Sequence, residues 1–480
     1  MAAVQSNPSW DALVELDPAV PGPFHERLTR AIREAIRAGR IPPGGALPPT
    51  RRLAADLGCS RWVVVQAYEQ LGAEGYVEGR TGSATRVRSL EGAAIAPVPP
   101  ATAATTAAAR LDLGPGIPDL RAFPRRAWLD ALRAELASAP YPELAYPEPG
   151  GHPRLRSVLA AYLRRVRGAV VDPRDVTVTS GVIDGMTQVW RALADSGRSV
   201  VAVEDPGWAW LRNGAAKTGL TLVPVPVDDD GLRVEELVGR RDVAAVVVSP
   251  AHQFPSGAVL APARRRMLVD WARSSDVLIL EDDYDAEFRY DRRPVGTVQG
   301  VEPSRVALFG SLSKTMAPAM GLGWAVTPPR WTEAIRSRET RMTGPPVVDQ
   351  LALARFIESG AYDRHLRVLR RTYRLRRDRL VDGLRHRIPD ARVAGVAAGL
   401  HILVWLPPGV RAAVVQSAAE ARGLAVMDLA ACRVRADGAP EGLVLGYGNL
   451  DDGVVDAAVR ALAAAVRDAA DPDVASLRRG

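Results

Sequence analysis

Apolar residues recur at helical spacing from Phe24 to Arg40, with Leu28, Ile32, Ala35 and Ile36 on one face, and Gly39 followed by Pro42-Pro43-Gly44-Gly45 stops the run. Thr50 is placed to cap a second short helix over Arg51 to Leu57, Gly58-Cys59-Ser60 supplies a turn, and Arg61 to Ala73 predicts a third helix. Gly75-Tyr76-Val77 and Thr85-Arg86-Val87 are short extended segments around Gly79-Arg80-Thr81-Gly82-Ser83, whose glycines suit a hairpin or wing. From Ser89 to Arg110 the chain is almost entirely Ala, Pro, Thr and Gly, with no large side chains to form a core, which predicts a linker.

Beyond Leu111 the period changes. Val176 to Thr179, Ser199 to Val203, Leu220 to Val223, Val243 to Val248, Val277 to Leu280 and Arg305 to Phe309 are nearly continuous apolar strands separated by helical stretches. That alternation predicts a mainly parallel sheet covered on both faces, an α/β class. A long arginine-rich helix from about Tyr362 to Leu384 leads to a last block with strands over Leu400 to Trp405 and Gly442 to Gly446. The predicted organisation is an N-terminal extension over 1–23, a winged helix-turn-helix over 24–88, a linker over 89–110 and an α/β domain over 111–480.

Charge refines this picture. The chain of 480 residues carries a formal net charge of +7, and residues 24–88 alone hold eleven arginines against six acidic residues, so the small unit is basic by itself and suited to a polyanion. Cys59 and Cys432 lack the spacing of a zinc site, which predicts two small buried thiols in a reducing compartment and no structural metal. The first residues, among them Asp11, Glu15 and Asp17, do not form a basic and then apolar leader, and no apolar run has membrane length, so a cytoplasmic protein is expected.

Of the 62 basic residues only Lys217 and Lys314 are lysine; every other is arginine. Where a primary amine is chemically required arginine does not serve, because its guanidinium stays protonated. Lys314 sits in Gly310-Ser311-Leu312-Ser313-Lys314-Thr315, directly after the strand ending at Phe309, where an open α/β sheet collects ligands and a partly desolvated amine forms a Schiff base with an aldehyde. Another strand ends in Glu281-Asp282-Asp283-Tyr284-Asp285. By itself that acidic cluster reads as a solvated strand end or a metal site; beside a retained lysine it becomes a partner for a protonated pyridine nitrogen.

The segment Leu47 to Arg61, with Ala67-Tyr68-Glu69-Gln70-Leu71 and Glu74-Gly75-Tyr76, resembles the winged helix of the GntR regulators. Added to Val203-Glu204-Asp205-Pro206-Gly207-Trp208, Ala251-His252-Gln253-Phe254-Pro255-Ser256-Gly257, Glu281 to Tyr290, Asp349 to Leu353 and Arg364 to Arg367, the whole chain resembles the MocR subfamily, a winged helix-turn-helix fused to a fold-type I, aminotransferase-like domain that binds pyridoxal 5′-phosphate. The resemblance implies DNA contacts at Arg51, Ser60, Arg61, Thr81 and Gly82, with Trp62 and Val63 standing where the family commonly has smaller polar residues. It makes Lys314 the Schiff-base lysine, Asp282 the partner of the pyridine nitrogen, Tyr284 a donor to the ring hydroxyl and Trp208 a stacking aromatic. Ser180, Gly181, Ser311 and Ser313 fall to the phosphate, while His252 reads as a satisfied buried imidazole. The partners implied are double-stranded DNA, a small-molecule effector that is pyridoxal phosphate or an amino compound, and a second copy of the chain.

Three positions depart from the family pattern. Gly321 replaces the arginine that clamps the cofactor phosphate, Val444 stands where aminotransferases hold a substrate carboxylate with arginine, and Val182-Ile183-Asp184 replaces a segment with paired glutamines. Two readings follow, a regulator that senses a ligand and an active aminotransferase carrying an accessory winged helix. The departures favour the regulator.

Overall fold

A computed structural model of the chain describes residues 22–79, 84–88, 111–146, 148–290, 295–338, 344–434 and 440–470. The chain divides into two compact units, Met1–Thr105 and Thr106–Gly480. In the first, the predicted apolar stripe becomes α1 (Phe24–Arg37), and its Leu28, Ile32, Ala35 and Ile36 are buried. Helices α2 (Thr50–Asp56) and α3 (Arg61–Ala73) complete one small core through Leu53, Val64, Ala67 and Leu71. Gly39 and Gly58 follow α1 and α2 at φ +72° and +61°, the left-handed conformation that ends a helix at least cost with glycine. Strands β1 (Val77–Glu78) and β2 (Arg86–Val87) pair antiparallel as the stem of the wing. Thr81 and Gly82, predicted for the wing tip, and the predicted linker 89–110 lie outside the described residues.

Two expectations fail here. Thr50 does not cap α2. Pro49 occupies the cap with extended backbone, Thr50 is the first helical residue, and its hydroxyl accepts from Arg61 Nε at 3.3 Å, a charged donor taking the place of a backbone amide. Cys59, in the turn between α2 and α3, is half-buried; only Cys432 is buried.

The second unit opens on β3 (Leu111–Asp112), α4 (Arg125–Ser138) and α5 (Pro153–Arg167). Its main sheet is built from β4 (Val176–Thr179), β5 (Val200–Asp205), β6 (Thr221–Asp228), β7 (Gly231–Leu232), β8 (Val243–Val248), β9 (Leu278–Asp282), β10 (Val306–Ser311) and β11 (Gly323–Val326), in the order β4-β11-β10-β9-β8-β5-β6-β7. From β10 to β6 the neighbours are parallel, and the chain crosses between strands through α6 (Val182–Asp195), α7 (Ala209–Lys217) and α8 (Pro262–Ser275). The sequence did not reveal β11, which runs antiparallel between β10 and β4. Residues of β8 divide between two cores, Ala245 and Val247 on one and Val246 and Val248 on the other, and Leu278 and Leu280 of β9 oppose Ile279 in the same way. Both faces are therefore covered, which is why these strands are apolar throughout. Because β4, β5, β8, β9 and β10 point one way, Thr179, Asp205, Val248, Asp282 and Ser311 all end at one edge of the sheet, the edge where such sheets collect ligands.

After α9 (Pro329–Arg336) and α10 (Val347–Glu358), the predicted long helix is α11 (Ala361–Arg387). A four-stranded sheet in the order β12-β13-β16-β15 follows, from β12 (Arg392–Ala394), β13 (His401–Trp405), β15 (Met427–Asp428) and β16 (Gly442–Gly446). A short β14 (Leu424–Ala425) returns to pair with β3. Among the described residues no helix is long and apolar enough to cross a membrane.

One arginine ties α11 to both ends of this unit. Arg376 is buried, with Nη2 on Asp119 at 2.9 Å, Nε on Asp452 at 2.8 Å and Nη1 on the carbonyls of Tyr447 and Gly448 at 3.1 and 2.6 Å. Arg376→Leu leaves buried Asp119 with only Arg121, and the expected loss is about 3 kcal/mol. Chemical denaturation of the two proteins measures it; a loss under about 1 kcal/mol contradicts the account.

Candidate functional site

The chain turns directly after β10, so Lys314 stands at the ligand-collecting edge of the sheet. Its Nζ donates to the Gly116 carbonyl at 2.6 Å and lies 5.9 Å from the centre of the Trp208 ring. Gly116 has φ +106°, a turn that a side chain would strain. Removal from water draws the Lys314 amine below the usual lysine range, and the carboxyl groups of Asp282 and Asp285 oppose that shift. Lys217, the other lysine, ends α7 fully outside this site and is exposed.

On the adjacent strand Asp282 pairs in register with Phe309. The acidic run around it is not a solvated strand end, because Glu281, Asp282, Asp283 and Asp285 are all buried. Nor is it interchangeable. Glu281 accepts from the backbone amides of Val298 and Gln299 at 3.0 and 2.9 Å, Asp283 takes both arms of buried Arg167 at 2.6 and 2.8 Å, and Asp285 lies 2.9 Å from His252 Nδ1. Asp282 Oδ1 alone among these oxygens is buried with no hydrogen-bond partner. Burial first, then the nearby carboxyl groups of Glu204, Asp285 and Asp283, push the Asp282 carboxyl up to about 8, against the pull of Lys314. A buried, unpartnered carboxylate oxygen is unfavourable until a donor reaches it. A protonated ring nitrogen, cationic and carrying one N–H, has the chemistry this oxygen lacks.

Glu204, at the end of β5, is buried as well; burial pushes its carboxyl up to about 7 although Ser249 N donates to it at 3.2 Å and Gln253 Nε2 at 3.3 Å. Tyr284 turns its hydroxyl towards His252 Nδ1, 3.2 Å away. His252 packs in turn on His401, with ring centres 5.0 Å apart, and ligand atoms of His252, Asp285 and His401 lie within 4.8 Å of one another. That spacing would admit a cation, but His252 Nδ1 is already engaged by Asp285 and Tyr284. His252 was expected to be a buried imidazole, and it is buried with Nδ1 engaged.

On the other side of Lys314, the intervening strand joins the predicted phosphate residues. Gly323 of β11 pairs with Ser311 on one side and Thr179 on the other. A Cβ on Gly323 would fall 2.7 Å from Gly181 Cα and 2.8 Å from the Gly310 carbonyl, so only glycine lets the three strand ends approach this closely. Gly181, at φ +143°, caps α6, and Ser313 N donates to Ser311 Oγ at 3.3 Å. Ser180 N, however, donates to Asp184 Oδ2 at 2.8 Å, so a carboxylate occupies the first amide of the loop. Gly321 adopts φ +54°, with nothing within 4 Å of where a Cβ would stand. Val444 is buried in an apolar cluster with Leu403, Leu429 and Cys432, where an arginine would have to bring its charge out of water at a cost of several kcal/mol.

In the first unit Arg51 lies in the first turn of α2, Ser60 precedes α3 and Arg61 begins it, and all three are exposed. Trp62 beside them is 60 % exposed. This is the placement a recognition helix needs, with its N-terminal residues free to meet a groove.

Sequence reasoning missed Gly116, Arg167, His401 and the engagement of Ser180 by Asp184. His401 carried a signal, a lone imidazole opening the apolar run Ile402-Leu403-Val404. Gly116 and Arg167 carried none, because they reach the site from 198 and 116 residues away in the chain.

The chain matches two family models, "Bacterial regulatory proteins, gntR family" over residues 24–87 and "Aminotransferase class I and II" over residues 111–462. It is 34% identical over 447 residues, 92% of this chain and 96% of the relative, to the "HTH-type pyridoxine biosynthesis transcriptional regulator PdxR" of Corynebacterium glutamicum. To the "Probable rhizopine catabolism regulatory protein MocR" of Rhizobium meliloti it is 32% identical over 462 residues, 92% of this chain and 93% of the relative. Among solved structures, an archaeal alanine:glyoxylate aminotransferase superposes on 75% of this chain and 91% of its own with a TM-score of 0.70 at 23% identity, a likeness of fold.

The Asp282 carboxyl yields a stability test. Its pKa is raised on folding, so between about pH 4 and about pH 8 the folded chain keeps a proton that the unfolded chain releases, and stability falls as pH rises through that window. Asp282→Asn removes this dependence. Without added ligand the variant is expected to melt a few degrees above the parent at pH 8 and close to it at pH 5. Equal differences at both pH values would contradict the burial of an uncompensated acid.

Proposed function

Since the chain belongs to the MocR subfamily of GntR transcription regulators, with a gntR-type helix-turn-helix before an aminotransferase-like domain, we propose that its second unit holds pyridoxal 5′-phosphate through Lys314 and Asp282 and uses occupancy of that site to control operator binding. The observation that carries the proposal is the pairing of a desolvated amine on Lys314 with the one buried carboxylate oxygen at Asp282 that has no donor. Pyridoxal 5′-phosphate, when bound, supplies an aldehyde for a lysine amine and a pyridine ring that draws electron density from the carbon joined to it.

In this reading Asp282 pairs with the ring nitrogen, Trp208 stacks on the ring and Tyr284 meets the ring hydroxyl. Ser180, Gly181, Ser311 and Ser313 receive the phosphate. Lys314 has a second resting place at the Gly116 carbonyl, which suits an amine displaced by an amino compound. The two ligation states of one lysine give an effector something to choose between, as a ligand-driven switch requires. The name of the Corynebacterium relative, a pyridoxine biosynthesis regulator, supports the cofactor itself as one signal. Turnover of ordinary amino acids is disfavoured by the apolar packing of Val444, which leaves no guanidinium there for an α-carboxylate. Arg51, Ser60 and Arg61 contact double-stranded DNA together with the wing residues Thr81 and Gly82, and a homodimer places two heads on two half-sites in the cytoplasm.

Titrating the purified chain with pyridoxal 5′-phosphate is expected to develop a saturable absorption band that Lys314→Ala lacks; identical spectra for the two proteins would refute the cofactor assignment. Fluorescence anisotropy with the chain's own promoter region tests the head. Arg61→Ala is expected to weaken binding about tenfold, and the parent's affinity should fall steeply with salt. Binding that ignores both the substitution and the salt would place the DNA contact elsewhere.

A further inference from the structure

His252 comes from a separate loop to meet the neighbouring residues Tyr284 and Asp285 at one point. Asp285 and His252 are 2% and 3% exposed, and His252 Nδ1 stands 2.9 Å from Asp285 Oδ2 and 3.2 Å from the Tyr284 hydroxyl. The imidazole has little room to turn. His401 packs at 5.0 Å between ring centres, and a Cβ on Gly399 would fall 2.2 Å from His252 Cε1 and 2.4 Å from Asp285 Oδ2, so bare backbone closes that side. Phe254 packs edge-on against His401, with ring centres 4.9 Å apart.

Resting on the cofactor reading above, we propose that the Asp285–His252 pair is a positioning clamp for Tyr284, fixing where the phenol stands and which partner shares its proton, and thereby setting how Tyr284 meets the hydroxyl of a bound pyridoxal ring. Asp285 is the anchor. An ionised carboxylate accepts, so the proton between it and His252 sits on Nδ1, which leaves the phenol oxygen beside a nitrogen that already donates. His252 Nδ1 thus offers Tyr284 no acceptor, and the phenol's own hydrogen is directed away from it, towards the Asp285 carboxylate, which lies within hydrogen-bond reach. His401 and Gly399 act on the clamp by shape alone; neither makes a hydrogen bond to Tyr284. His252 is a positioning residue here, and its effect on the cofactor passes through Tyr284.

A double-mutant cycle separates this from a merely structural role. Affinity for pyridoxal 5′-phosphate and the position of the bound absorption band are measured for the full-length parent, His252→Ala, Tyr284→Phe and the pair together. His252→Ala is expected to weaken binding about tenfold and move the band in the parent, and to do so less than about twofold, with no band movement, when Tyr284 is already Phe. His252→Asn, which keeps an amide N–H near the Nδ1 position, recovers part of the loss. Additive effects in the cycle overturn the clamp. Should His252→Ala fail to fold by circular dichroism, Asp285→Asn, which keeps the side-chain shape and removes the anchoring charge, takes its place in the same cycle. A parent that shows no Lys314-dependent band at all overturns the cofactor reading itself, whereas a parent band with additive losses overturns only the clamp.

Discussion

One ammonium group shares the buried edge of the main sheet with the carboxyl groups of Glu204, Asp282 and Asp285. Like charges about 4 Å apart repel by about 4 kcal/mol at an effective dielectric constant of about 20, so three neighbouring carboxylates do not all ionise without help. Asp285 has His252 beside it and, two residues back, Asp283 has Arg167; Glu204 and Asp282 hold their protons to higher pH. The imbalance is a property of topology. Parallel strands deliver their ends to one edge, and here the ends of β5 and β9 bring Glu204 and Asp282 there.

That topology was largely legible in the sequence. Unbroken apolar runs such as Val243 to Val248 marked strands covered on both faces, and the helical stripe of Leu28, Ile32, Ala35 and Ile36 marked α1. Lys314 stood out because lysine is otherwise so nearly absent, and Asp282 because it closed a strand in an acidic run. What was hidden depended on distance along the chain or on competition. Nothing local shows that Gly116 turns its carbonyl to Lys314, or that Arg167 rather than solvent takes Asp283. Thr50 failed as a cap because the helix starts one residue earlier, with Pro49 as its cap, and the Thr50 hydroxyl accepts from Arg61 instead. β11 escaped because Gly323 to Val326 is four residues long and follows a turn rich in glycine and proline.

The residues proposed to receive a phosphate differ in kind from those proposed to meet a ring. Asp282 carries an unpartnered buried oxygen, and Lys314 lies beside the Trp208 ring. At the other end Asp184 takes the Ser180 amide, Gly321 leaves a space where a cation would stand, and the strand ends are drawn together by Gly323 instead of by charge. Under the proposed function, the Asp184 carboxylate beside a bound phosphate would be repulsive, and the penalty would fall on the ligand's affinity rather than on the protein's fold. An enzyme needs its cofactor resident; a regulator needs it to come and go.

The scarcity of lysine has a consequence for selectivity against other reactants. Aldehydes in a cell combine with whatever accessible amines they meet, and most proteins present many at the surface as decoys. This chain's side chains present one exposed amine, on Lys217, and one half-buried amine, on Lys314, which desolvation draws below the usual lysine range. Arginine keeps the charge needed for polyanions while remaining inert to carbonyls. The background of adventitious carbonyl adducts is therefore limited by composition, and under the proposed function a response to an aldehyde would report the occupancy of one half-buried position.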